Sequence, residues 1–205
     1  MNPKLEKNAV TAALVLLCSA CSTTMLSTWK KPGADLSEMD KVVVVVRAND
    51  ESVRRSAESR IVQNMGPARA TPSHELAPEA TSTDTLRDRV EGGGYDGAIV
   101  VRVVGVDKKT EWVGGAGPGY GYGAWYATAP YQQTTTYVRV ETSIYSLPDQ
   151  TLLWSATSRT VEPSNVQKLV DETVKAVRKE LAEEGLIPPD RVSQAPAPAR
   201  ALERG

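Results

Sequence analysis

Residues Lys41-Val-Val-Val-Val-Val46 form an unbroken β-branched run with no polar residue alternating between the valines. Alternation marks a strand with one wet face, so its absence predicts a strand buried on both faces. Asn49 or Asp50 then caps a helix whose apolar residues Val53, Ala57, Ile61 and Met65 recur every four positions and end at Gly66. A buried strand, a short turn and an amphipathic helix open an α/β unit.

The rest of the chain extends that pattern. Arg69 to Leu76 is a weaker strand candidate, and a helix from Thr83 to Glu91 stops at Gly92-Gly93-Gly94. Tyr95-Asp96-Gly97 turns into Ala98 to Val104, a strand whose extension reaches toward Val113. Tyr137 to Ser146 reads as a half-exposed antiparallel strand, with Val138, Val140 and Ile144 opposite Tyr137, Arg139, Glu141 and Tyr145. Pro148-Asp149-Gln150 turns it into Leu152 to Val161, making a hairpin. Val166, Leu169, Val170, Val174, Val177 and Leu181 form one stripe of a last helix, capped near Ser164 or Asn165 and closed by Gly185. The expected fold is α/β or α+β: a mixed sheet of about five strands with helices packed on it, in the order β-α-(β)-α-β-β-β-α.

The 205-residue chain has a formal net charge of -1 and 40% hydrophobic residues, enough apolar material for a sizeable core and no basic field to attract nucleic acid. One His and two Cys leave little for a metal site or a Cys/His catalytic pair, so neither metal nor cofactor is expected.

At the N-terminus, Lys4 and Lys7 precede the apolar run Ala9 to Leu17. That run is too short for a membrane-spanning helix, which needs about 20 residues, and suits a signal peptide over residues 1–20. Cys18-Ser19-Ala20-Cys21 follows and resembles the lipobox of bacterial lipoproteins, with Cys18 at a position more often occupied by Leu. The resemblance implies diacylglycerol on Cys21 and a cut before it, with Ser22 next to the anchor implying the outer membrane and a body facing the periplasm. Secretion after a cut behind Ala20 and uncleaved insertion stay open as alternatives.

Residues 21–38 read as the lipidated Cys and a tether carrying one early anchor, Trp29. Residues 39–187 read as a single periplasmic domain, and 188–205 as a disordered Pro/Ala-rich tail. Together, Cys21, the Val-rich strand, Gly94-Tyr-Asp-Gly-Ala98, the Tyr/Gly-rich connection, Leu152-Leu-Trp-Ser155 and the closing helix resemble uncharacterised lipoproteins of Gram-negative bacteria. The element order is also similar to periplasmic domains of the curli-secretion-channel and TolB N-terminal kind, a likeness of fold that carries no function.

The Gly/Tyr-rich connection, residues 114–133, is the oddest segment. From Gly114 to Tyr131 it holds no Lys, Arg, Asp or Glu, while carrying Tyr120, Tyr122, Trp125, Tyr126 and Tyr131. Long connections that are not disordered usually bind something, and Tyr and Trp serve both protein contacts and membrane interfaces. Three readings stay open: a loop folded onto the sheet, a partner contact, and a membrane-inserting hairpin tip, alone or within an oligomeric pore. His74 has no sequence neighbour that makes it a general base, and no Gly-x-Ser-x-Gly elbow accompanies Ser73. Asp96 reads as turn chemistry. Arg102, Arg139, Glu141 and Arg159 read as cross-strand pairs on a polar face. The expectation is a non-enzymatic binding or envelope-assembly module, held to the membrane through Cys21 and meeting an envelope protein or a second copy. The alternative is a subunit of an oligomeric secretion or pore assembly that uses the hairpin.

Overall fold

A computed structural model describes residues 23–66, 68–77, 83–113 and 131–188. Within them the chain is a mixed α+β fold, a six-stranded sheet with four helices packed on it. The strands are β1 (Thr23–Lys30), β2 (Val42–Arg47), β3 (Ala70–Pro72), β4 (Gly97–Val113), β5 (Tyr131–Ser146) and β6 (Thr151–Val161). The helices are α1 (Glu51–Met65), α2 (Ser73–Leu76), α3 (Thr83–Gly92) and α4 (Val166–Glu183). The sheet order is β1-β6-β5-β4-β2-β3, with β2 parallel to both its neighbours and every other pairing antiparallel.

The valine run of β2 is buried as its composition demands. Val42, Val44 and Val46 pack against Ala57, Ile61 and Val62 of α1, while Val43 meets Val90, Tyr95 and Ala98 on the opposite face. Asp50 caps α1 by accepting the Val53 N–H at 3.0 Å. Asn165 does the same for α4 through the Lys168 N–H at 2.7 Å. Gly185, at φ +71°, closes α4 and lets the Leu186 N–H return to the Leu181 carbonyl at 2.8 Å.

Two expectations are corrected. The stretch read as a tether contains β1, a full edge strand paired with β6 from Thr23↔Thr160 to Lys30↔Trp154, which brings the expected mixed sheet of about five strands to six. Trp29 lies in that strand and is 49% exposed, because it faces the side of the sheet away from α1 and α4. In addition, β5 begins at Tyr131 rather than Tyr137, which takes residues 131–133 out of the Gly/Tyr-rich connection and into the ladder with β4.

α1 and α4 lie side by side on one face of the sheet and are clamped together. Arg60 of α1 donates from Nε and Nη2 to the two carboxylate oxygens of Asp171 at 2.7 and 2.8 Å, and the Asn64 amide adds a third bond at 2.9 Å. The bonds from Arg60 hold the Asp171 carboxyl below its ordinary pKa. Further along, Arg178 donates to the Asn64 carbonyl at 2.6 Å, and its burial lowers the pKa of the guanidinium. The core on this face forms two clusters, one around Val44 and Ile61 and one around Trp154 and Leu181. A cavity of about 290 Å³ lies against both.

Candidate functional site: the hairpin end of the sheet

Thr23, the first residue of β1, pairs with Thr160 near the end of β6, and their hydroxyl oxygens are 2.7 Å apart in a buried contact. Thr160 pairs with Val138 of β5, and Val138 with Val106 of β4. This row marks one end of the sheet. Beyond it β6 contributes only Val161, opposite Tyr137, while β4 and β5 run on together. Asp107–Val113 and Tyr131–Tyr137 form a ribbon that projects about 20 Å past that end, at about 3.4 Å per residue.

The ribbon carries ion pairs along its length and exposes Trp112 and Tyr131 at its tip. Arg139 pairs with Asp107 at 2.9 Å, Lys109 with Glu111 at 2.5 Å, and the Thr110 and Thr134 hydroxyls meet at 2.9 Å. Gly105 sits at the register shift where the ribbon leaves the sheet. A Cβ there would lie 2.6 Å from the Arg139 guanidinium, so the absent side chain makes room for that ion pair. At the tip, Trp112 is 67% exposed and Tyr131, paired with Val113, is 55% exposed.

Of the residues singled out from the sequence, Tyr131 is therefore at the ribbon tip. Tyr120, Tyr122, Trp125 and Tyr126 lie outside the described residues, as does Cys21. In the chain, Ser22 alone separates Cys21 from Thr23. Thr23, where β1 begins, lies at the end of the sheet from which the ribbon projects. Sequence reading missed Trp112, whose exposure depends on β4 outrunning its neighbours.

The polar pairs of the other face are confirmed in part. Arg102 grips Glu141 with two bonds of 3.0 Å, which raises the pKa of the guanidinium. Arg139 instead turns to Asp107, and Arg159 lies over the Tyr137 ring at 5.4 Å. Asp96 is a turn residue, its Oδ2 accepting the Asp40 and Lys41 N–H groups at 3.0 and 2.8 Å.

His74 sits in the short α2 rather than in a loop or edge strand, and it has a partner that the sequence did not reveal. Glu58 of α1 is fully buried, and its Oε2 accepts from the His74 N–H at 3.0 Å and contacts the His74 Nδ1 at 2.7 Å. Its Oε1 accepts from Ser73 Oγ at 2.6 Å and from the Val46 N–H at 3.0 Å. The reason is local: β3 pairs with β2 only from Val42 to Val44, so the carboxylate completes the ladder where β3 stops. Ser73 Oγ donates to Glu58, not to the imidazole.

No family model and no curated protein matches the sequence. Among solved structures, the chain is similar to a dodecamer of a single-substitution variant of PelC from Paraburkholderia phytofirmans, with 16% identity, a TM-score of 0.44 and coverage of 75% of this chain and 96% of that one. A second PelC dodecamer from the same organism has 15% identity, a TM-score of 0.43 and coverage of 78% and 95%. The lipoprotein GNA1162 from Neisseria meningitidis has 15% identity, a TM-score of 0.39 and coverage of 70% and 99%.

Proposed function

We propose that the protein is a non-enzymatic outer-membrane lipoprotein facing the periplasm, an envelope module held by lipid on Cys21 with its β4–β5 hairpin directed at the bilayer. The observation that carries this reading is the coincidence of two features at one end of the sheet. β1 starts two residues after Cys21, and the ribbon tipped by Trp112 and Tyr131 leaves from the same end. Trp and Tyr are the side chains that settle at the membrane–water boundary, and Gly114–Pro130 between them carries no charge. Among the described residues no helix is long and apolar enough to cross a membrane.

The test is vesicle flotation of residues 22–205, beside Trp112→Ser and Tyr131→Ser variants. The expected result is association with outer-membrane-like vesicles that both substitutions weaken. Equal recovery of wild type and variants in the unbound fraction would sink the membrane contact and leave the tip as a protein-binding surface.

A second reading, a ring of copies joined through their hairpins, is favoured by one feature. β2 ends at Arg47 and β6 at Val161, so both outer edges of the ribbon lack a partner among the described strands and offer backbone groups to a neighbour. The mass of the lipidated protein in detergent decides it: a monomer removes this reading, and a ring absent from residues 22–205 alone supports it.

A further inference from the structure

We propose that the cavity between α1, α4 and the sheet is a binding site for one acyl chain. Its walls are apolar, with Ala57 and Ile61 from α1, Val170 and Val174 from α4, and Val101 and Val140 from the sheet. The lining follows α4 from Val166 to Leu181, about 22 Å at 1.5 Å per residue, so the space is long and narrow. A volume of about 290 Å³ sits at the lower end of small-molecule sites. That suits one chain and is too small for two.

Two observations separate this cavity from an ordinary packing gap. Thr173, midway along the lining, is 6% exposed, and its Oγ1 has no hydrogen-bond partner among the described residues. A buried hydroxyl without a partner is costly, so the site calls for an oxygen or N–H from something bound there. The carbonyl or carboxyl at the head of an acyl chain supplies one. Among the described residues no Asp or Glu lines the cavity, whereas Arg47, Arg69, Arg102 and Arg178 do, with Arg47 and Arg102 at the Val103 end.

The entrance is also defined. Val103 lines the cavity yet is 53% exposed, and Val106, on the same face by its pairing with Val138, is 59% exposed. Both lie toward the sheet end where β1 begins, so a chain enters from the side of Cys21. The same chemistry has two sources, a free fatty acid or an acyl chain on Cys21 itself, and the site stands whether or not Cys21 carries lipid.

Residues 22–205 contain every described strand and helix, so that chain is titrated with cis-parinaric acid, whose fluorescence rises in an apolar site. The expected result is saturable micromolar binding, displaced by palmitic acid. Val101→Phe, or Val174→Phe from the opposite wall should the first not fold, weakens it at least tenfold while raising Tm by filling space. Thr173→Val weakens binding several-fold yet stabilises the unliganded chain, which a purely structural hydroxyl would not do. Hydrogen exchange of α4 in the lipidated protein in nanodiscs then separates the sources. Added protection assigns the site to the chain's own lipid, and unchanged exchange assigns it to a free amphiphile. No fluorescence rise up to the probe's solubility limit, or binding equally tight in both Phe variants, overturns the proposal.

Discussion

Thr23 and Thr160 share a buried hydrogen bond of 2.7 Å between their hydroxyl oxygens, across a sequence separation of 137 residues. Removing one hydroxyl leaves the other buried without its partner, whereas removing both exchanges a polar pair for an apolar one of the same shape. Thr23→Val or Thr160→Val alone is expected to cost about 1–3 kcal/mol in urea denaturation, and the double variant much less than the sum. Additive losses would show that the pair is not coupled.

Glu58 accepts bonds from Val46, Ser73 and His74, and so joins α1 to the end of β2 and to α2. Glu58→Ala strands several buried donors at once and is expected to destabilise the fold by about 3–5 kcal/mol, a loss of the size seen when one member of a buried ionic group is removed. Chemical denaturation monitored at Trp154, which is fully buried, reads the change.

The Arg60–Asp171 clamp makes an acid-limb prediction. Because Asp171 has a lowered pKa in the folded state, its contribution is complete above the ordinary carboxylate value of 3.8 and is lost as pH falls through the lower folded value. Asp171→Asn therefore has a flatter loss of stability below about pH 4 than wild type, while the two curves run parallel near neutrality. Urea midpoints across the acid limb and up to neutrality check the sign.

Gly66 follows α1 at φ +96° and donates its N–H to the Val62 carbonyl at 2.9 Å. Open space surrounds the position where a Cβ would lie, so the penalty of Gly66→Ala is conformational rather than steric crowding. The expected loss is about 1–3 kcal/mol by thermal or urea unfolding for Gly66→Ala and Gly66→Asn alike, because ψ +123° lies outside the left-handed helical region that Asn tolerates.

The parts of the fold that were legible from sequence are those in which burial imposes a pattern. Val42–Val46 is buried on both faces and has no alternation, and the stripe from Val166 to Leu181 marks the inward face of α4. β1 was not legible because it is an edge strand. Only Thr23 is buried in it, and a register shift between Met25 and Ser27 interrupts what period it has. Glu58 looks like one more charged residue of a polar helix, and nothing local marks it as buried, since its partners Val46 and Ser73 come from separate elements. The extension of β4 toward Val113 was legible but its partner was not: whether Tyr131–Thr136 is a loop or a strand depends on Asp107–Val113 across from it. The cavity is a property of how two helices rest on a sheet, and no segment of sequence encodes it alone.

The antiparallel seam between β1 and β6 has a mechanical meaning. β1 enters the sheet at Thr23 and runs to Lys30, so tension applied to the chain before Thr23 acts along the strand axis. Every rung from Thr23↔Thr160 to Lys30↔Trp154 then resists sliding together, instead of opening one after another. If Cys21 carries the proposed lipid, a pull on that lipid loads the seam in shear.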